Sequence, residues 1–382
     1  MNCEKVKIAD ICKYVTSGGT PLSSNEAYYN PPTIPWLKTK EVNYCRIYDT
    51  ETYISQEGLD NSSAKLIPEN SVIVAMYGQG DTAGRVAINK VPLATNQACC
   101  NLIIDENKAD YRYIYYTLSA LYDKLVSLKN GGAQPNLNAS IIKNFEINIP
   151  RLLNQHHIAD VLSNYDNLIE NNQKQIKLLE EAAQRLYKEW FVDLRFPGYE
   201  SATITDGVPD GWIEKSLGEI VPILTGKKDA NFGTQDGQYP FFTCSQEPIK
   251  APSFSFDTSA VILAGNGDFN VKLYRGKFEA YQRTYVLSPN DLKHLYLLYH
   301  AVNSNMNKLV KGASGSTIKF LTKGMIESIE ILIPTENVLL QFNQLMEEIQ
   351  CKIEILKKSA VLATEARDRL LPKLMSGEIE VL

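Results

Sequence analysis

The sequence predicts a mixed α+β (α/β) chain built as an internal duplicate: two globular domains joined by two long helices that pack as an antiparallel coiled coil. Three observations predict it. First, Ile158, Leu162, Tyr165, Ile169, Asn172, Ile176, Leu179, Ala183, Leu186 and Trp190 follow one another at alternating steps of four and three. That is a heptad seam, the signature of a coiled-coil helix. Second, Pro150 precedes this stripe and Pro334 precedes another, an offset of 184. At that offset, without a gap, the seam is repeated by Phe342, Met346, Ile349, Ile353, Leu356, Ala360, Ala363, Arg367, Leu370 and Leu374. Third, the segments before each stripe also resemble each other. Two unrelated amphipathic helices would explain either stripe alone, but not an ungapped register over both.

Residues 1–150 are read as the first domain. SVIVAMYG (71–78) is a β-rich apolar strand ending in glycine. The loop GQGDTAG (78–84) follows it, and then RVAI (85–88). Tyr111, Ile114, Leu118, Leu121, Leu125 and Leu128 predict one amphipathic helix, stopped by Asn130-Gly131-Gly132. FEINIP (145–150) is a last strand.

Residues 151–191 form the first long helix. About 40 residues at ~1.5 Å each make a rod of roughly 60 Å, whose single apolar stripe needs a partner. Residues 192–211 are rich in proline and glycine and read as a linker.

Residues 212–334 repeat the first domain with drift. KSLGEI (215–220) stands for VKIADI (6–11), YPFFT (239–243) for IPWLK (34–38), and AVILAGNGD (260–268) for SVIVAMYGQGD. Leu292, Leu295, Tyr299, Val302, Met306 and Leu309 repeat the helix stripe. Residues 335–382 are the second long helix and a tail. Heptads alone leave the direction of pairing open; the duplication makes it antiparallel.

Composition sets limits. The 382 residues suffice for two or three domains, and 44% are hydrophobic. Lys and Arg number 39 against 44 Asp and Glu, a formal charge of −5. Any surface for nucleic acid must then be a local patch. Seven scattered cysteines without a CxxC suggest reduced thiols, and with them a cytoplasmic location. MNCEKVKIAD has no apolar leader core, and no run of 18 apolar residues occurs, so neither export nor a membrane is expected.

Sites for chemistry are weak. Asn30-Pro31-Pro32-Thr33 resembles the core of amino-methyltransferases, but no aromatic follows the prolines and no cofactor loop precedes them. Gly78, Gly80 and Gly84 do not match a phosphate loop. His156 and His157 are adjacent, so they face different ways on a helix. His294 and His300 lack partners at metal spacing. No metal site, catalytic residue or cofactor is expected in this chain.

Several stretches together resemble the specificity subunit of type I restriction–modification systems, across the whole chain. SGGTP (17–21), IPWLKT (34–39), TNQ (95–97) and GAQPNL (132–137) look like motifs of a target-recognition domain. LEEAAQRLYKEWFVDLRFPGYE (179–200) and RDRLLPKLMSGEI (367–379) look like the central and C-terminal conserved regions. YPFFTCS (239–245), AGNGD (264–268) and GKFEAYQRTYVL (276–287) match a common subtype of the second recognition domain. That domain departs from the pattern at Tyr281-Gln282-Arg283 and Ser316-Thr317-Ile318.

The resemblance implies a non-catalytic subunit that reads a two-part asymmetric DNA duplex, one half per domain. It implies docking of modification subunits that methylate adenine with S-adenosylmethionine. It also implies restriction subunits that use ATP and Mg. The alternative is a coiled-coil scaffold that ignores DNA; a methyltransferase using Asn30-Pro31-Pro32 is a third reading.

Reading bases needs donors and acceptors on loops, with glycines allowing close approach. The first domain offers Gly18, Gly19, Thr20, Lys38, Thr39, Tyr77, Gln79, Arg85, Asn96, Gln97, Gln134 and Asn136. The second offers Lys227, Lys228, Ser245, Asn266, Gln282, Arg283, Ser316, Thr317 and Lys319. Gln97 and Gln282 hold equivalent places, which also suits a role in fixing a loop.

Overall fold

The computed structural model describes residues 3–130, 135–315 and 319–380. They fall into two compact units: Met1–Asn171 with Ser359–Leu382, and Asn172–Lys358.

In the first unit, Cys3–Lys7 pairs antiparallel with Glu146–Pro150, Val6 opposite Ile147. Between them lie two sheets. The larger runs in the order Cys12–Ser17, Cys99–Ile104, Val72–Ala75, Val86–Asn89, Cys45–Ile47. The smaller runs Tyr53–Ile54, Ile34–Leu37, Leu93–Thr95, Leu66–Ile67. Val72 and Val74 pack into a core with Ile114, Leu118 and the helix residues Ile158 and Leu162. Ile73 and Ala75 enter a second core with Leu37 and Leu93. Both faces of that strand are covered, which is why SVIVAM shows no polar alternation.

Asp110 caps the following helix by accepting from the amides of Arg112 and Tyr113. The single helix predicted from Tyr111 onward is two, Tyr111–Ala120 and Tyr122–Val126, interrupted at Leu121. The stripe survives the break because Leu118 and Leu125 still reach one core.

The second unit repeats the frame. Ile213–Ser216 pairs with Glu330–Ile333, Lys215 opposite Ile331. These are the counterparts of Val6 and Ile147 in the sequence repeat. The sheet runs Ile223–Thr225, Thr284–Leu287, Phe256–Ala264, Val271–Ala280, Tyr239–Phe242, Ile249–Ala251. Val261 and Leu263 face the helix Leu295–Gly312. Ala260 and Ile262 face Phe242, Phe278 and Val286. The stretch predicted as a linker is pinned within this unit. Phe196 is buried with its ring 4.7 Å from Trp212, and Ile204–Thr205 pairs with Val208–Pro209.

The long helices are Leu152–Tyr187 and Glu336–Ser376. Every position of both seams is buried or half-buried, Asn172 included. In the first unit Asp166 meets Arg367, and Ile158 and Leu162 share a core with Leu370 and Leu374. In the second unit Glu180 meets Lys357, and Tyr187 and Trp190 lie against Phe342. In each unit a step up one helix is a step down the other, so the pair is antiparallel.

Carboxylates on the helices tie each sheet down. Arg46 reaches Asp166 and Glu170, and Arg275 binds Glu347 with Tyr296 beside it.

One core residue carries a pH dependence. His300 is 4% exposed and stacks on Tyr187, with Nδ1 3.0 Å from Gln184 Oε1. Burial lowers its pKa from 6.5 to about 4. The unfolded chain therefore takes up that proton first. Stability present above pH 6.5 is lost as pH falls towards 4, by up to about 3 kcal/mol. Urea unfolding at several pH values should show the loss, and His300→Gln should flatten it. An unchanged slope in the variant would assign the loss to other groups.

Candidate nucleic-acid interface

Strand pairing gathers the first unit's polar loops at one end of its sheets. Ile34–Leu37 and Leu93–Thr95 run parallel with Leu37 opposite Thr95, so Lys38-Thr39 and Asn96-Gln97 leave side by side. Cys99–Ile104 begins where its neighbours end, Cys100 opposite Ser17 and Cys99 opposite Ala75. That brings residues 18–20 and the hairpin tip at 76–84 to the same end. Leu137 N–H donates to the Met76 carbonyl at 3.0 Å, placing Asn136 beside Tyr77.

Within this cluster the roles divide. Gly18 and Gly19 are buried, and a Cβ on Gly18 would meet the Thr95 carbonyl. Their amides donate to Cys99 and Thr95, and the Gly19 carbonyl accepts from the Trp36 indole. They set the path of the loop and show no side chain. Thr20 and Gln97 are exposed and hydrogen-bonded to each other. Asn96 is turned inward, its amide on Leu37 and its Oδ1 accepting from the Cys99 thiol. Gln79 is exposed at the tip, and its carbonyl accepts from the Thr82 hydroxyl at 2.7 Å. Arg85 is held by Asp81 and by Asn43 Oδ1 at 2.9 Å. That contact holds the Asp81 carboxyl below its usual range. Lys38 has no carboxylate partner among the described residues and lies 5.3 Å from the Trp36 ring centre.

The second unit builds the same end from other side chains. Gly226 N–H donates to the Thr284 carbonyl as Gly18 does to Cys99, and its Cβ would meet the Ala280 carbonyl. Gly265 N–H donates to Arg283 O as Met76 does to Ala98, 2.8 Å in both. Leu321 N–H donates to Gly265 O as Leu137 does to Met76. These bonds equate Gly18 with Gly226, Thr20 with Lys228, Gln97 with Gln282 and Ala98 with Arg283.

Gln282 Nε2 donates to Asp229 at 2.6 Å, and its amide donates to the Lys228 carbonyl. Gln97 and Gln282 thus each brace the loop that follows the buried glycine. Lys228 lies 4.4 Å from the Phe232 ring centre, while Lys227 and Lys319 are exposed. Asn266 Oδ1 accepts from the Cys244 thiol. Ser245 is exposed, and its carbonyl accepts from Lys272. Gln134, Ser316 and Thr317 lie outside the described residues.

Sequence reading missed the residues that hold these loops. Asp229, Asn43 and Asp81 act on partners distant in sequence or across a turn, and no motif marks them. It also left His156 without a partner. His156 Nδ1 lies 2.7 Å from the buried Asp110, which Arg112 grips as well while reaching Asp160. This is an anchor between helix and domain. Asn30, Pro31 and Pro32 are exposed residues leading into the strand Ile34–Leu37. Among the described residues no cluster suits a metal ion, and no helix is long and apolar enough to cross a membrane.

Comparison with known proteins gives the geometry a setting. The family model for the type I restriction modification DNA specificity domain matches residues 1–181 and again residues 209–355. The MjaIX type I restriction enzyme specificity subunit of Methanocaldococcus jannaschii is 28% identical, over 98% of this chain and 93% of its own. The EcoDI specificity subunit of Escherichia coli is 39% identical over 45% of this chain and 39% of its own. The crystal structure of the type I restriction–modification S subunit from M. genitalium superposes with a TM-score of 0.61 at 18% identity. It covers 98% of this chain and 96% of that one. That likeness is one of fold.

Proposed function

We propose, for a chain that belongs to the type I restriction modification DNA specificity family, that each unit's loop end reads one half of an asymmetric two-part duplex sequence. The chain does no chemistry itself. The observation that carries this reading is the pair of equivalent loop ends. They share a backbone frame, marked by Gly18 and Gly226, but differ in side chains, as Thr20 against Lys228 and Ala98 against Arg283. A shared frame suits two docking events on one kind of groove, and different side chains suit different bases.

On this reading, adenine methylation with S-adenosylmethionine belongs to modification subunits. ATP-driven translocation and Mg-dependent cleavage belong to restriction subunits. The long helices are their docking ground. In support, Leu168, Val361 and Leu362 stay exposed on the first unit's share of the helices, and Leu178, Leu345 and Ile355 on the second's. Neighbouring exposed apolar side chains such as Val361 and Leu362 are the kind that mark an interaction surface.

Filter binding of the full chain to random and genomic duplex at two salt concentrations tests the reading. Retention that weakens with salt and prefers one sequence is expected. No retention even at low salt would leave the scaffold reading. The same assay separates Lys38 from Arg85. Lys38→Ala should weaken all duplexes alike and lower the salt slope by roughly one unit. Arg85→Ala should do less, because Asp81 already takes half of its guanidinium. A loss confined to one sequence would make Lys38 a reader of bases.

A further inference from the structure

The second unit's loop end holds a pocket of about 290 Å³ lined by Gly265, Gln282, Arg283, Tyr285, Phe320 and Leu321. Its shape depends on a glycine: a Cβ on Gly265 would meet the Arg283 carbonyl and the Tyr285 ring. Tyr285 is itself fixed, its hydroxyl donating to the Leu321 carbonyl at 2.9 Å. The neighbouring polar groups are committed. Gln282 is held by Asp229, Lys228 lies over Phe232, and Asn266 accepts from Cys244. Arg283 is exposed and stands apart from them. Arg46, Arg85, Arg112, Arg275 and Arg367 each hold a carboxylate. Arg283 has no ion-pair partner among the described residues.

We infer that Arg283 reads a guanine in the half-site of the second unit, donating both arms of its guanidinium to the O6 and N7 edge. The inference rests on the DNA-reading function proposed above and gives it a residue and a base. A planar, always charged fork matches a guanine edge with two parallel bonds. Tyr285 and Phe320 line the pocket beside it, and a planar guanidinium stacks on aromatic faces where a compact ammonium does not. Lys227 and Lys319 are the exposed ammoniums at this end, and point charges of that kind suit phosphate. The first unit lacks the device. Its equivalent residue is Ala98, 3% exposed, so the effect belongs to one half-site only.

The test uses the full chain with its modification partner, wild type, Arg283→Ala and Arg283→Lys. Each is offered a duplex library randomised at every position of the mapped target, and methylation is counted per sequence. The expected result is a roughly 5- to 150-fold loss of discrimination at one G·C pair in one half-site for R283A. R283K should lose clearly less than R283A at the same pair, with an unchanged salt slope, because it keeps the charge and a donor for O6/N7 and loses only the planar fork. The other half-site should keep its preference in both variants.

Equal weakening of all duplexes by R283A, with a salt slope smaller by about one, would make Arg283 a phosphate contact and overturn the inference. Unchanged preference at every position would remove it from the interface and overturn it too. Both outcomes leave the proposed function standing. A wild-type chain without sequence preference would overturn the function itself and this residue assignment with it.

Discussion

Exchanging residues 4–150 for the matching segment of another family member should change one half of the methylated sequence and leave the other half as it was. The expectation follows from two complete loop ends, each on its own sheets, with separate cores for the two units. The graft must keep its seat on the helix. Arg46 reaches Asp166 and Glu170, Tyr116 donates to Asp166, Arg112 binds Asp160, and Asp110 binds His156. A donor carrying Arg, Asp, Arg and Tyr at these positions should dock. One without them should fail through instability, which unfolding curves would reveal separately from specificity. Methylation mapping reads the result. A change in both half-sites together would show that the units do not read independently.

Asp166→Ala should destabilise the first unit by about 3–5 kcal/mol, the range for removing one partner of a buried ion network. The Asp166 side chain is 10% exposed. It accepts from the Tyr116 hydroxyl and pairs with Arg367 at 2.7 Å and Arg46 at 3.9 Å. Alanine leaves a phenol and two largely enclosed guanidiniums facing a gap. Glu170 and Asp368 still serve those arginines, which places the expected cost at the lower end. Asp166→Asn keeps an acceptor for the phenol and should cost less. The urea midpoint of the full chain measures both. A shift worth under about 0.5 kcal/mol for D166A would mean that water screens the network as it does surface pairs.

The duplication was legible because it rests on periodicity and order, which are local. The heptads, the 184-residue repeat and the strand SVIVAM each need only neighbours in the chain. The loop ends were legible as composition, since glycines and amides between apolar runs signal loops. Their internal division of labour was not. The match of Gly18 to Gly226 lies at an offset of 208, one residue short of the 209 that relates VKIADI to KSLGEI, so sequence alone leaves its register open. The bonds to Cys99 and Thr284 fix it. Sequence also grouped Gly18 and Asn96 with Thr20, although Gly18 is buried and the half-buried Asn96 spends its Oδ1 on the Cys99 thiol.

By itself, then, the sequence determined the class of fold, the two long helices and their twofold repeat, because apolar spacing dictates which face of each element must leave water. Tertiary structure decided which polar residues remain available. Whether a guanidinium is free or spent depends on which carboxylate the fold brings within reach. Arg85 is spent on Asp81 and Asn43, Arg46 on Asp166 and Glu170. Arg283 is left open at the rim of its pocket. Apart from Asp81, which reaches Arg85 across one turn, these partners come from segments far apart in the chain, and no local pattern encodes them.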